Sequence, residues 1–339
     1  MTADTPHAAP PADRFAWSEV PDPAELPIAS VEAEGRTWRF TGLDPEDHIF
    51  RWLERQKRFY EHDMLTFLAS LVPAGGLIAD VGANIGNHSV WFAGVMGCRV
   101  RAFEPVPALC TVLARNVAQN RLDDLVRVEP YGVGRRSGRA RVSAWDRTNT
   151  GASALEPREA DGDIRLVALD DLEWDQTVDL LKIDVEGMEA DVLAGALGLI
   201  RRHRPLLAIE ARSTPEEDEL RRWLDDAGYR VLGRLNATPT LVAVPGGSPA
   251  ADDAVAHAVE HLGRRFDDFE LRLDRFGRFL QKLSVGQGAA AAAPASAPPA
   301  GADLNGLQER IRHLEAELDA MRRRAGSTDQ DTPSAEDRA

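Results

Sequence analysis

"IADVGANIGNHSVWF", residues 78–92, decides the fold. An apolar run ends in Asp80 and Val81, and the next five residues, Gly82 to Gly86, spend two glycines and an asparagine before a helix-like apolar stretch begins. In a doubly wound sheet the ligand lies beyond the carboxyl ends of the strands, and the turn after the first strand must let a cofactor approach the backbone closely. Gly82 and Gly86 remove side chains at that turn, and the following helix points its free N–H groups toward the ligand. The order Gly-Ala-Asn-Ile-Gly lacks the third glycine of GxGxxG, and no Gly-Lys-Ser/Thr follows, so an uncharged or zwitterionic cofactor is favoured over a phosphorylated one.

Working outward, six further runs have strand length and turn residues around them: "CRVRAF" (98–103), "LVRVEP" (125–130), "VDLLKID" (178–184), "RPLLAIE" (204–210), "YRVLGR" (229–234) and "TLVAVP" (240–245). Helix-like stretches Ser89 to Val95, Val106 to Gln119, Met188 to Arg202 and Glu216 to Ala227 separate them. That alternation predicts an α/β fold, a mostly parallel sheet covered by helices on both faces, with the last two strands forming an antiparallel pair at one edge.

The 339 residues, 43% of them hydrophobic, suffice for one large α/β domain with appendages. No window approaches the ~18 consecutive apolar residues of a membrane span, and MTADTPHAAPPADRF lacks the basic and apolar regions of a secretory signal, so a cytoplasmic protein is expected. Cys98 and Cys110 have no metal-ligand spacing and read as reduced core residues. The formal charge of −15 argues against a nucleic-acid partner.

A second clue lies in "RVRAFEPVP", which places Glu104 at the exposed end of the second strand. A carboxylate there can accept hydrogen bonds from the vicinal hydroxyls of a ribose, or else serve the first turn of the helix that starts beside Pro105 and Val106. In LLKIDVEGMEAD, strand alternation puts Lys182, Asp184 and Glu186 on one side, with Asp184 at the ligand-facing end and Gly187 easing the turn. A carboxylate–lysine pair there could orient an acceptor hydroxyl and take its proton; the alternative is a structural ion pair in which Lys182 neutralises Asp184 or Glu186.

DVGANIG, FEP (103–105), VALDDL (167–172), LLKIDVEGMEADVLAGA (180–196), RPLLAIE and the upstream RFYEHD (58–63) resemble the FkbM-type S-adenosylmethionine-dependent methyltransferases over residues 49–246. The resemblance implies a class I methyltransferase, Rossmann-like, with a mostly parallel seven-stranded sheet, and methyl transfer to a hydroxyl of a sugar, polysaccharide or natural product. It makes Asp80, Gly82, Asn84, Gly86, Glu104 and Pro105 the cofactor-binding set. Asp184, Lys182 and His88 are the catalytic candidates, His88 being the histidine beside the cofactor loop and otherwise a capping or surface residue. Asn149, Gly151 and Ser153, in DRTNTGASAL, line an acceptor pocket or close a hairpin. Glu186 and Glu210 are expected to contact the acceptor. Asp184, Glu186 and Glu210 could also hold Mg²⁺, but acidic strand ends are common without metal and none is expected to be required. The rival readings are a NAD-type oxidoreductase, disfavoured by glycine spacing, and an inactive methyltransferase-fold scaffold assembled by a coiled coil.

Composition divides the rest: a disordered segment at 1–30, the domain at 31–246, an amphipathic heptad helix at 250–285, the Ala/Pro linker GQGAAAAAPASAPPAGA at 286–302, a short coiled coil at 303–324 and a disordered tail at 325–339. Val255, Val259, Leu262, Phe266, Phe269, Leu273, Phe276, Leu280 and Leu283 keep a heptad seam, and a second runs from Leu304 to Met321. Such stripes must be buried, so a homo-oligomer or a partner helix is expected through residues 255–324.

Overall fold

The computed structural model describes residue 22 and residues 25–158 and 161–247; both heptad seams and the linker lie outside the described residues. The chain runs β1 (Ile28–Ala33), β2 (Arg36–Thr41), α1 (His48–Gln56), α2 (His62–Ala69), β3 (Leu77–Val81), α3 (Asn87–Gly94), β4 (Arg99–Phe103), α4 (Pro107–Gln119) and β5 (Val126–Glu129). It continues through β6 (Gly132–Val133), β7 (Gly138–Ala144), β8 (Ala154–Arg158), β9 (Ile164–Val167), β10 (Val178–Ile183), α5 (Glu189–Ala194), α6 (Leu197–His203), β11 (Leu206–Glu210), α7 (Thr214–Asp226), β12 (Tyr229–Leu235) and β13 (Thr240–Pro245). β1 begins at Ile28, so an ordered strand lies partly before the domain boundary of residue 31 read from composition.

The main sheet has seven strands in the order β12-β13-β11-β10-β3-β4-β5. All seven are strands expected from the sequence. β11, β10, β3, β4 and β5 are mutually parallel, while β13 runs antiparallel between β11 and β12. The sheet is therefore mixed, with the expected antiparallel hairpin at its edge.

Period-two alternation sends neighbouring side chains to opposite faces. Ile78, Val100, Ala102, Leu180 and Ala208 join the core on one face with apolar residues of α1, α2, α3 and α4. Leu77, Ala79, Val81, Phe103, Leu181, Ile183 and Leu207 join the other with α5, α6 and α7. Because both faces are covered, β3 reads LIADV with every residue buried, which is why its acidic member needs a partner.

Three features depart from the sequence reading. The helix expected from Met188 to Arg202 is two helices, broken at Gly195, where a Cβ would collide with the Gly134 carbonyl and whose own carbonyl accepts from Asp170 N at 2.9 Å. Residues 132–167 form a separate four-stranded sheet, β6-β9-β7-β8. Residues 28–69, where no strand or helix was named from the sequence, supply a hairpin and two helices that pack on the sheet. Asn116 of α4 holds that hairpin, accepting from Thr41 N at 2.7 Å and donating to the carbonyls of Thr41 and Ile85 at 3.0 and 2.7 Å.

Among the described residues no helix is long and apolar enough to cross a membrane. Cys98 and Cys110 are free thiols; Cys98 is buried, while Cys110 is only partly so.

Candidate active site

The carboxyl ends of β3, β4 and β10 open into a cavity of about 990 Å³, closed from the other side by α1 and the 148–155 segment. The loop after β3 forms its floor. Gly82 has φ 81°, and a Cβ there would run into the Asp184 carbonyl, so both the backbone angle and the close approach of β10 require glycine. Gly82 N and Ala83 N both donate to the Phe103 carbonyl at 3.0 Å, which fastens the loop to the end of β4. Asn84, at φ 51°, takes the left-handed conformation that asparagine tolerates better than most residues.

Glu104 lies at the end of β4, as expected, but it is 4% exposed rather than open to solvent. One oxygen accepts from Asn84 N at 2.8 Å and the other from Val106 N at 2.9 Å. It thus serves the start of α4 and borders the cavity together with Pro105. Burial pushes its carboxyl up to about 7, against the pull of the Val106 and Asn84 N–H groups. Each oxygen accepts one of these bonds and keeps a further lone pair for a ligand hydroxyl.

Asp80 is fully buried and does not border the cavity. It accepts from Ser89 Oγ at 2.6 Å, and its other oxygen lies 3.2 Å from Lys182 Nζ. Lys182 also lies 3.2 Å from Asp184 Oδ2 and donates to the Gly82 carbonyl at 3.0 Å. Burial works against this ammonium, yet Asp184 and Asp80 outweigh it and the net effect holds its proton more tightly. Gly86 likewise stays behind the cavity wall, packed on Leu113.

Asp184, Glu186 and Glu210 present carboxylate oxygens all within 4.8 Å of one another, and all three border the cavity. Burial opposes ionisation of Asp184, but Lys182 and a hydrogen bond from Glu210 keep its carboxyl below the usual range. Glu210 moves the other way: burial and the neighbouring Asp184 charge push it up, so it holds the proton of that pair. Glu186 is pushed up to about 7, first by burial and then by Asp184.

His88 borders the cavity and is not a surface residue. It is 8% exposed, and its Nε2 lies 3.2 Å from Glu61 Oε2. Glu61, Tyr60 and Trp52, all on the cavity wall, were not singled out by residue pattern, although Tyr60 and Glu61 sit within RFYEHD. Burial, then the charges of Glu61 and Asp184, hold the Tyr60 phenol protonated. Asn149 and Ser153 border the cavity as expected. Between them Thr150, which the sequence did not mark, is buried and donates from N and Oγ1 to Asp47 Oδ2 at 3.0 and 2.8 Å. Asp47 also caps α1 through Phe50 N at 2.9 Å, so the 149–153 segment is anchored to the helix that walls the cavity.

A mixed seven-stranded sheet with a glycine-turned loop and a carboxylate on adjacent strand ends is a Rossmann-like arrangement. The family model of the methyltransferase FkbM domain matches residues 80–231. Among solved structures, a methyltransferase FkbM from Methylobacillus flagellatus KT is 22% identical, with a TM-score of 0.42 over 55% of this chain and 48% of that one; this chain thus spans about half its length. A precorrin-6y C5,15-methyltransferase from Geobacter metallireducens GS-15 is 16% identical, with a TM-score of 0.36 over 55% of this chain and 87% of that one. A protein of the NADB-Rossmann superfamily from Streptococcus agalactiae is 17% identical, with a TM-score of 0.37 over 76% of this chain and 94% of that one. No curated protein matches the sequence.

Proposed function

We propose that the protein transfers a methyl group from S-adenosylmethionine to a hydroxyl of a sugar, polysaccharide or hydroxylated natural product. The observation that carries this reading is the meeting, in one cavity, of the Gly82–Asn84 backbone, the Glu104 carboxylate and the Asp184–Glu186–Glu210 cluster. The residues fit the cofactor. Glu104 has acceptor capacity for ribose hydroxyls, Phe103, Val106, Leu109 and Val133 offer an apolar wall for a base, and the carboxylates complement a sulfonium.

When bound, S-adenosylmethionine supplies an electrophilic methyl group on a positively charged sulfur. The chain's work is alignment. Gly82 to Asn84 and Glu104 fix the donor's nucleoside end, while Asp184, held by Lys182, orients the acceptor hydroxyl. Holding the reactants in register avoids an entropic cost worth up to roughly 7–11 kcal/mol. Trp52 and Tyr60, packed edge to face with ring centroids 5.9 Å apart, supply an aromatic wall on the acceptor side.

Incubating the full-length protein with methyl-labelled S-adenosylmethionine and a cell extract, then searching the products by mass spectrometry, tests this directly. A labelled O-methyl product supports the reading; label on nitrogen or carbon alone would contradict the hydroxyl acceptor. We further propose that residues 255–324 hold the protein as a homo-oligomer, on the strength of their heptad spacing.

A further inference from the structure

We propose that Glu186 is the general base that takes the acceptor's proton, and that Glu189 is the positioning residue that holds it there. The assignment rests on the methyl-transfer reading above and deepens it. As the acceptor oxygen bonds to the methyl carbon, the hydroxyl proton passes to the Glu186 carboxylate. The carbon–sulfur bond breaks with its electron pair on sulfur, leaving a neutral thioether.

The backbone is the first observation. Glu186 has φ 55°, a left-handed conformation uncommon for a non-glycine residue. Glu189 holds that turn: it is 6% exposed and spends its carboxylate on backbone N–H groups, Gly187 N at 3.0 and 3.1 Å, and Val185 N at 3.4 Å. An acidic side chain is thus buried to shape the turn that carries another acidic side chain into the cavity.

Elimination is the second. Asp184 is engaged by the Lys182 ammonium at 3.2 Å, which makes it a good orienting group and a poor proton acceptor. Glu210 has its carboxyl oxygen within 4.8 Å of that of Asp184, and burial with the Asp184 charge pushes it up, so it is the acid of that pair and not its base. His88 turns Nε2 to Glu61. Glu186 has no such occupation. The charges around it come from Asp184 on the β10 side, Glu189 on α5, and Arg212 and Glu216 beyond β11, with the protonated Glu210 of β11 beside them, and only Arg212 favours its ionised form. Its carboxyl, pushed up to about 7, matches the strength that Brønsted behaviour favours for a base working near neutrality.

The test uses the full-length protein, labelled S-adenosylmethionine and the extract component that the wild type labels, with donor affinity measured separately by calorimetry. Glu186→Gln should cut turnover at least 100-fold, leave donor Kd within about twofold, and abolish the rise in rate between pH 6 and 8 measured at saturating donor, where the Glu104 effect on affinity drops out. Glu189→Gln should lower turnover with donor Kd preserved, and Glu186→Asp should restore part of the rate. Wild-type turnover in Glu186→Gln, loss of the pH limb in Asp184→Asn instead, or loss on chelation with recovery on adding Mg²⁺ would each overturn the assignment. A wild type that binds donor yet labels no hydroxyl would overturn the underlying reading, and the base with it.

Discussion

Lys182 and Asp80 stand opposite each other in register across the parallel pair β10/β3, with Nζ 3.2 Å from Oδ1 and both side chains buried. The pair joins the strand that carries the glycine loop to the strand that carries the acidic cluster. Its lysine also binds the Gly82 carbonyl and Asp184, so one buried ammonium ties the loop after β3 to the end of β10.

Removing that ammonium should be costly. Lys182→Met would leave Asp80 fully buried without a counter-charge, and a broken buried pair destabilises by about 3–5 kcal/mol. Denaturant unfolding should register that loss, and the double variant Lys182→Met/Asp80→Asn should recover part of it. Unchanged stability in the single variant would contradict the pairing.

Glu104 gives a pH signature of definite sign. Its folded carboxyl sits at about 7, above the ordinary 4.5, so the folded state holds a proton that the unfolded state has released. This contribution to stability is complete below about 4.5 and disappears as pH rises through 7. Donor affinity should run the opposite way, strengthening from pH 6 to 8 as the carboxylate forms and accepts the ribose hydroxyls. Glu104→Gln should flatten both trends and weaken donor binding by roughly 1.5–3 kcal/mol. Calorimetry at three pH values decides it; an unchanged affinity in a folded variant would remove Glu104 from the cofactor site.

Thr150→Val should loosen the cavity wall. The hydroxyl donates to the buried Asp47 carboxylate at 2.8 Å and lies 3.3 Å from Asn84 Oδ1, next to the cofactor loop. Losing a hydrogen bond to a charged group costs about 1.5–3 kcal/mol. A lowered melting temperature with weaker donor binding is expected, whereas loss of stability alone would confine Thr150 to anchoring α1.

Truncation after Pro249 tests the tail. Light scattering should show a smaller species than the full chain, and that species should still bind S-adenosylmethionine, because every cavity residue precedes residue 247. A monomer mass for the full-length protein at micromolar concentration would contradict self-association.

The sheet was legible in the sequence because its strands are buried on both faces and read as near-continuous apolar runs closed by turn residues. Residues 132–167 were not. β6 has two residues, and β7 and β8, with five arginine, glutamate or proline residues between them, show little apolar signal. DVGANIG and LKIDVEG marked two segments that the structure brings to one cavity, the loop after β3 and the acidic shelf after β10. Asp47, Glu61 and Thr150 escaped notice because they lie at helix and loop termini, and their partners are distant in sequence: Asp47 and Thr150 are 103 residues apart. Glu104 was placed correctly but read as exposed, since nothing in FEP reveals that the Asn84 and Val106 N–H groups close over it.

The central claim is that the loop after β3 and Glu104 hold S-adenosylmethionine. Calorimetric titration of the full-length protein with S-adenosylmethionine and, separately, with NAD tests it most directly. The account predicts saturable one-site binding of S-adenosylmethionine that Glu104→Gln weakens, with no heat from NAD; binding of NAD without S-adenosylmethionine would contradict it.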